Sequence, residues 1–294
     1  MKLIITGATG FIGKNLLKEK ELKKHEVIIL TNKKLKKKTK KINSNIENIN
    51  KKIKQVIKFG PEILIHLAWE GIPNYGKKNS YKNYIKQKKF FKALRKVKTI
   101  KKIIITGSCF EYGILKGSPN EKKNITSMTD FSKAKIAIYR YLKNQFSKSV
   151  RIIWLRLFYV YGIGQRNDAL IPYLIKNLMN GKKIYLKEPY AARDFINVKD
   201  VCNVIVNFIK INKQGIYNVG TGKSNNPVKI INYILKDIKS DSVIKFNKLK
   251  KHSNFFANIR KLRKVYFNKN ISLNKGIKDL IIHYKQKKLF SSSN

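Results

Sequence analysis

The chain has 294 residues, 43% hydrophobic and 11% aromatic, so it can bury a substantial core and is not globally disordered. Two cysteines exclude a disulfide framework, and no apolar run approaches the roughly 18 residues of a membrane-spanning helix. The first residues form too short an apolar stretch for a signal peptide, and we therefore expect a cytoplasmic protein without a membrane span.

The charge is strongly positive, with 66 Lys and Arg residues against 16 Asp and Glu residues and a net charge of +50. A field of this sign attracts polyanions in general. The basic residues are spread along the whole chain and no nucleic-acid reading element gathers them, so nucleic acid is not the expected partner. Compositional bias explains most of the charge, although a basic surface also speeds the capture of diphosphate-bearing small molecules.

The first half of the chain alternates apolar strands with helices. Strands are predicted at 3–5, 26–30, 63–67, 102–105 and 151–157, and helices from residue 11 and over 81–97 and 131–146. This alternation predicts an α/β fold, with a Rossmann-type doubly wound parallel sheet.

The second half has shorter and less regular elements, predicted as helices at 169–179 and 200–211 and strands near 185, 195 and 218. We therefore expect a dinucleotide-binding domain over 1–162, a smaller C-terminal substrate lobe making up most of 163–288, and a serine-rich disordered tail at 289–294.

The strongest local motif is Thr6-Gly7-Ala8-Thr9-Gly10-Phe11-Ile12-Gly13, which follows the first strand and opens a helix. Glycines permit a tight turn and a close approach of backbone to pyrophosphate, and a helix N-terminus supplies unpaired N–H groups. The motif predicts a cofactor loop built on Gly7, Gly10 and Gly13, with Thr9, Phe11 and Ile12 as further contacts.

Later segments carry weaker motifs whose order and spacing together are specific. They are Glu62–Trp69, Asn83, Ile105–Gly113, Leu155–Gly162, Arg193–Val201, Tyr217–Gly220 and Ile271–Ile277. With the glycine motif, they resemble the extended short-chain dehydrogenase/reductase superfamily, in its NAD-dependent epimerase/dehydratase family, which acts on nucleotide sugars.

The resemblance implies roles for single residues. Catalytic positions are Ser108, Lys135, Asn83 and the tyrosine position of the family's Tyr-x-x-x-Lys pair, which holds Phe131 here. Further cofactor contacts fall on Leu67, Ala68 and Lys135, and substrate contacts on Trp69, Tyr159 and Arg193.

Phe131 departs from the family pattern, because a phenyl ring has no proton to transfer and the loss of a general acid typically costs about 10² to 10⁴ in rate. Three explanations stay open. In the first, the protein has lost redox chemistry and kept cofactor binding. In the second, another group such as Tyr159 supplies the proton. In the third, the tyrosine–lysine pair is Tyr139 and Lys143, two turns further along the helix.

The second strand ends without a carboxylate, in Leu30-Thr31-Asn32-Lys33-Lys34. An acidic residue there would bond the adenosine ribose of NAD, whereas a cation suits the 2′-phosphate of NADP. Asn32 and Lys33 are therefore expected at the cofactor, and NADP is favoured over NAD.

The residues after Ser108 bear on the reaction. The dehydratases of the family carry an Asp-Glu pair where this chain has Cys109 and Phe110, so elimination is not expected. A 4-keto sugar reductase or an epimerase remains, and the alternative is a catalytically impaired relative that binds cofactor and acts as a partner or regulatory subunit.

The family also implies a homodimer through the helices of Asn83 and Lys135, with Phe90, Ala93, Leu94, Ile136 and Tyr139 as apolar contacts. No metal site is expected, because the four histidines lack the spacing of metal ligands.

Overall fold

Strands and helices alternate along the chain in the computed structural model, which describes residues 1–35, 40–123, 125–126, 128–146, 148–246 and 253–291, with the backbone alone for 287–291. The strands are β1 (Lys2–Thr6), β2 (Glu26–Leu30), β3 (Lys41–Ile42), β4 (Ile63–His66), β5 (Lys102–Ser108), β6 (Arg151–Leu157), β7 (Tyr159–Tyr161), β8 (Ile184–Leu186), β9 (Ala191–Arg193), β10 (Phe195–Asn197), β11 (Gly215–Val219), β12 (Ile244–Phe246) and β13 (Ser253–Phe255). The α-helices are α1 (Phe11–Leu16), α2 (Ile53–Phe59), α3 (Lys77–Leu94), α4 (Asp130–Phe146), α5 (Leu170–Met179), α6 (Val198–Lys210), α7 (Pro227–Leu235), α8 (Arg260–Arg263) and α9 (Leu273–Ser291).

Seven strands form one parallel sheet in the order β11-β6-β5-β4-β1-β2-β3. The chain starts at β1, builds outward to β3, and then crosses back to build the other half from β4. Thr6 consequently lies between Leu30 on one side and His66 on the other. Ligands of doubly wound sheets bind at such a switch point, outside the carboxyl ends of the strands. The predicted fold class is confirmed.

Helices cover both faces of the sheet, which explains why its central strands are apolar on both sides. Leu3, Ile4 and Ile5 of β1 are all fully buried. One face packs against α1 and α6, and the other against α2, α3 and α4.

A separate apolar core lies in the second half of the chain, where α5, α7 and α9 pack together. Leu174, Ile230 and Ile277 contribute one fully buried side chain from each of these helices. Three two-stranded parallel sheets complete this part of the chain, namely β7 with β10, β8 with β12 and β9 with β13. Strands β8 and β12 pack within the lobe core itself.

The predicted division at residue 162 needs a correction. After β10 the chain returns to the large sheet, where α6 packs on α1 and β11 pairs with the last five residues of β6. Tyr217 and Val219 cover the outer edge of β6 beside Leu155 and Leu157. The single boundary therefore missed the return of residues 198–219 to the large sheet, because the sequence pattern loosens before it.

The end of α6 is fixed to the sheet by a buried lysine. The Nζ atom of Lys102, at the start of β5, donates to the carbonyl oxygens of Phe208, Ile209 and Ile211, each at 2.9 Å. Carbonyls in the last turn of a helix have no partner within the helix, and a cation there also meets the negative end of its dipole. Burial lowers the pKa of Lys102 to about 8.

The helices α7 and α9 were not predicted. Asn226 begins α7, where its side chain accepts a hydrogen bond from the Lys229 N–H at 2.9 Å and Pro227 occupies the first turn. The last helix continues to Ser291, beyond the predicted start of a disordered tail at 289, and residues 292–294 lie outside the described residues. Across the described ranges, no helix has the length and apolar character needed to cross a membrane.

The dimer contacts expected on α3 and α4 also need a correction. Phe90, Ala93, Leu94 and Ile136 are buried inside their own chain, and the first three belong to the core shared by the sheet and these two helices. The spacing of apolar residues marked the core-facing side of each helix, which cannot also meet a second copy.

Candidate functional site

The glycine loop packs directly against the end of β4. Gly7 has a φ of +71°, in the left-handed region, and a Cβ atom there would lie 2.6 Å from the nitrogen of Ala68. At Gly13 a Cβ atom would lie 2.3 Å from the carbonyl oxygen of Gly7. Both positions exclude any larger residue, so these two glycines allow α1 to start against the turn.

Gly10 has a different environment. It is exposed, its N–H donates to the Gly7 carbonyl at 3.0 Å, and that oxygen is the one atom a Cβ atom would approach, at 3.2 Å. No side chain caps α1 at this position. Thr9, Phe11 and Ile12 are partly exposed around it. An uncapped helix start beside an open glycine fits the pyrophosphate of a dinucleotide.

Asn32 and Lys33 lie just past the carboxyl end of β2, next to the glycine loop in the sheet order, and both are exposed. The preceding Thr31 is buried, and its hydroxyl accepts a hydrogen bond from the Lys33 N–H at 3.2 Å. The turn is therefore held by a hydrogen bond within it. It presents the amide of Asn32 and the ammonium of Lys33 at the position where a carboxylate would favour NAD.

Leu67 and Ala68 continue from β4 beside Gly7. The Leu67 N–H donates to the Thr6 carbonyl at 3.1 Å, and the Gln87 side chain donates to the Ala68 carbonyl at 2.7 Å. His66 lies between the Thr6 hydroxyl and Gln87, and burial lowers its pKa to about 3, so the ring is neutral and structural. This network fixes the floor against which the glycine loop packs.

Lys135 is buried on the inner side of α4. Its Nζ atom donates to the Thr106 carbonyl of β5 at 2.9 Å and lies 4.3 Å from the centre of the Trp69 ring. The ring face attracts the ammonium, whereas burial lowers the pKa of Lys135 to about 8. Since Ser108 follows Thr106 by two residues on β5, the structure places both near the carboxyl end of one strand.

Ser108 starts a 3-10 helix at Cys109–Tyr112, and its Oγ accepts a hydrogen bond from the Phe110 N–H at 3.2 Å. Its own N–H donates to Oε1 of Glu111 at 2.8 Å. The Glu111 carboxylate is buried and pairs with Nε of Arg156 at 2.8 Å. Sequence reasoning missed Glu111, although an acidic residue three positions after a serine is the signature of a capping box.

Phe131 belongs to an aromatic wall formed by Trp69, Tyr75, Phe110, Phe131 and Tyr159. Its ring centre lies 5.1 Å from that of Trp69, 4.8 Å from that of Tyr75 and 6.4 Å from that of Phe110. Tyr159 continues the wall at 6.1 Å from Phe110. Phe131 is almost fully buried by these rings, whereas Tyr75 is 36% exposed. The sequence analysis did not identify Tyr75.

Asn83 does not join the catalytic candidates. Its side-chain oxygen accepts from the Glu70 N–H at 2.9 Å, and its amide donates to the carbonyls of Glu70 and Asn79 at 3.0 and 2.9 Å. These bonds saturate the side chain and fix the loop that follows β4. In this structure Asn83 positions the loop, and its expected catalytic role stays a prediction.

Arg193 and Tyr159 lie close together on the lobe side, where the guanidinium opposes the effect of burial on the pKa of the tyrosine. Burial raises the pKa of Tyr159. Nη1 of Arg193 already donates to the Ala192 carbonyl at 3.0 Å and to the Ser253 hydroxyl at 2.8 Å. Part of the guanidinium is thus held by the chain itself, which leaves Nη2, 3.8 Å from Glu188, as the more available end.

Tyr139 and Lys143, the second possible tyrosine–lysine pair, are separated from this arrangement. The Tyr139 ring packs against Trp154 with centres 5.2 Å apart, and Lys143 is exposed. Tyr139 is a packing residue, and Lys135 is the lysine of α4 that reaches the end of β5.

A glycine loop at the switch point of a doubly wound sheet defines a dinucleotide-binding α/β protein. The sequence matches the model of the NAD dependent epimerase/dehydratase family over residues 3–220, and the chain belongs to this family.

Known proteins of this class resemble the chain over nearly its full length. It is 27% identical to the CDP-abequose synthase of Salmonella muenchen, covering 95% of this chain and 97% of that protein. It is 24% identical to the dTDP-6-deoxy-L-talose 4-dehydrogenase (NAD(+)) of Aggregatibacter actinomycetemcomitans, covering 76% and 85%. The crystal structure of UDP-glucose 4-epimerase with UDP-glucose from Thermotoga maritima has the same fold, with a TM-score of 0.85, 19% identity, and 98% and 100% of the two chains covered.

The contrast between Gly10 and Gly13 yields a test of the cofactor loop. Gly10→Val directs a side chain into the open space, so we expect a stable protein that binds NADP and NAD at least about tenfold more weakly, a loss of ~1.4 kcal/mol. Gly13→Ala is the matched variant, and we expect it to lower the melting temperature, because its methyl group overlaps the Gly7 carbonyl. Calorimetric titration and thermal unfolding measure both effects. A folded Gly10→Val protein with unchanged affinity for both dinucleotides would contradict the assignment of this loop.

Proposed function

We propose that this protein is an NAD(P)-dependent oxidoreductase or epimerase of a nucleotide-activated sugar. Of these reactions, we favour the reduction of a 4-keto sugar. The proposal depends on one arrangement: Lys135 and Ser108 meet the end of β5, beside the glycine loop and the aromatic wall. The relatives named above, a synthase and a 4-dehydrogenase of nucleotide sugars, support the same substrate class.

The positions after Ser108 argue against elimination. Cys109 is buried, and burial raises the pKa of its thiol, so it stays protonated near neutral pH. Phe110 is part of the aromatic wall and has no ionisable group. A dehydratase must move protons at two carbons, and these side chains offer no acid–base pair for that task.

The remaining groups suit a carbonyl–alcohol interconversion. When bound, a nicotinamide cofactor would supply the hydride. The Ser108 hydroxyl can donate a hydrogen bond to the substrate oxygen while its Oγ accepts one from the Phe110 N–H. Lys135 is held by Thr106 and Trp69 where it can bind the cofactor ribose, and the aromatic wall can exclude water from the sugar.

The first test is turnover. We expect the purified protein to consume NADPH with a 4-keto-6-deoxy nucleotide sugar, and Lys135→Met to reduce kcat by about 100-fold or more. Consumption is followed by the nicotinamide absorbance and the product by NMR. An epimerase would interconvert C4 isomers without net consumption of cofactor. A protein that binds cofactor and does neither would overturn the proposal in favour of a binding-only relative.

We propose that NADP is the preferred cofactor. Two observations support this: the ammonium of Lys33 is exposed, and the sequence has no carboxylate between Glu26 and Glu47. We expect Lys33→Glu to lower the preference for NADPH over NADH by about tenfold or more, because an attraction to the 2′-phosphate becomes a repulsion. Lys23→Glu makes the same charge change near the opposite, amino end of β2 and serves as the control. Equal preferences in the two variants would show that Lys33 does not meet the 2′-phosphate.

We also propose a homodimer that forms through the outward faces of α3 and α4, the two helices that the resemblance to the family implies. Tyr81 of α3 is 65% exposed, and Ile85, Ala137 and Tyr141 are partly exposed on the same two helices. Lys88 is also exposed on α3, with its ammonium 5.8 Å from the centre of the Tyr141 ring. Two copies packed on these faces would bury the apolar groups and bring like charges together.

The dimer should therefore strengthen with salt, because screening weakens the repulsion between the lysines of the two faces. We expect light scattering at tens of micromolar to give a dimer at about 0.5 M salt, and Ile85→Arg to give a monomer. Ile57→Arg introduces the same side chain at an exposed position of α2 and should leave the dimer intact. A wild-type monomer at every salt concentration would contradict the interface.

A further inference from the structure

We propose that Tyr75 supplies the proton that Phe131 cannot, so that the phenol of this active site comes from the loop after β4 and not from α4. The inference rests on the proposed function and names the proton donor of the same reaction. The sequence carries no motif for it, since Tyr75 lies in a loop outside every pattern identified above.

Tyr75 is placed directly against the position that lacks the hydroxyl. Its ring centre lies 4.8 Å from that of Phe131, with an angle of 56° between the ring planes, and 5.9 Å from that of Phe110. Lys135 lies on the same ring, with its ammonium 5.8 Å from the centre of Phe131. Tyr75 and the buried Lys135 therefore both lie against the ring of Phe131, on the aromatic wall.

The loop that carries Tyr75 is held by side chains of α3. The Ser80 hydroxyl donates to the Tyr75 carbonyl at 3.2 Å, and the Asn79 amide donates to the carbonyls of Asn74 at 2.7 Å and Glu70 at 3.1 Å. Asn83 fixes Glu70 at the start of the loop, as described above. A proton donor needs such support, because loss of position alone lowers a rate by orders of magnitude.

The other tyrosines of this region are committed elsewhere. The Tyr159 ring packs on Phe110 and Phe195, and burial raises the pKa of Tyr159, which disfavours its phenolate form. Tyr112 donates to the Asn218 side chain at 2.7 Å, and Tyr139 packs on Trp154. Within the described ranges, Tyr75 is the tyrosine in contact with Phe131 that also reaches solvent.

The step balances in atoms and electrons. The carbonyl carbon of the 4-keto sugar takes a hydride from a reduced nicotinamide, which is oxidised as the ketone is reduced. The C=O π electrons move to oxygen, and that oxygen takes the hydroxyl proton of Tyr75. The resulting phenolate regains a proton from water, which can reach the exposed side of the ring. In the reverse direction Tyr75 would act as the base.

The experiment moves the phenol between the two positions. Tyr75→Phe should lower kcat about 100-fold or more and leave KM within about threefold. Adding Phe131→Tyr to Tyr75→Phe should restore at least about a tenth of the wild-type rate, since it returns a hydroxyl to the other ring of the same contact. Tyr185→Phe removes a phenol that is 53% exposed on β8 and should leave kcat unchanged.

A second readout does not depend on turnover. Cofactor affinity, measured by quenching of tryptophan fluorescence, and the melting temperature should be the same for wild type and Tyr75→Phe. A residue with only a structural role would change affinity or stability, and Phe131→Tyr would not rescue it.

The outcomes separate the two proposals. If wild type turns over a 4-keto sugar and Tyr75→Phe is equally fast, the role of Tyr75 is wrong and the proposed function stands. If Tyr75→Phe is slow but the double variant is no faster, the phenol is not exchangeable between the rings and the role as proton donor is overturned. If wild type binds cofactor and turns over no candidate sugar, the proposed function fails, and the role of Tyr75 with it.

Discussion

The buried pair of Glu111 and Arg156 is the interaction on which the geometry of the candidate site depends. Both side chains are only 1% exposed, and the carboxylate also accepts the Trp154 indole N–H at 3.0 Å and the Ser108 N–H at 2.8 Å. The carboxylate is well satisfied, whereas Nη1 of Arg156 has no hydrogen-bond partner among the described residues. Removing one partner of such a buried pair is costly. The carboxylate holds the backbone at the end of β5, where Ser108 lies.

The same network extends toward the lobe. Arg156 lies over the Tyr112 ring at 4.6 Å, and the Tyr112 hydroxyl donates to Asn218 of β11. Asp194 has the equivalent task on the lobe side, where its buried carboxylate accepts from Thr221, Gly222 and Ala257. Two buried carboxylates thus hold the strand ends and the lobe loops together, in a chain that has few acidic residues overall.

The sequence was sufficient to predict those strands and helices whose local hydrophobic pattern matches their burial in the folded chain. The strands around β1 are apolar on both faces, and the glycines at 7, 10 and 13 have spacing that only a tight strand-to-helix turn requires. The late helices α7 and α9 were missed, because their helical signals are a single cap and an amphipathic pattern crowded with lysines. The return of β11 to the sheet is a long-range pairing that no local pattern records.

Within the candidate site, the sequence could not show which groups the predicted residues would contact. Lys135 and Ser108 lie where the motifs implied, whereas the side chain of Asn83 is saturated by loop backbone and Arg193 is partly held by Ser253. Tyr75 could not be predicted, since its importance arises from a contact with Phe131 across 56 positions of sequence. A substitution in a helix can be compensated from a loop, and only the fold shows which loop.

The clasp between Lys102 and the last carbonyls of α6 has a consequence for how this architecture diversifies. The chain leaves the large sheet after β6 and returns along α6, whose end is tied to the start of β5 by three hydrogen bonds. The segment between β6 and α6 is therefore held at both ends. It can change in length or shape while the strands of the large sheet stay in register, so this part of the chain can diversify without disturbing the sheet.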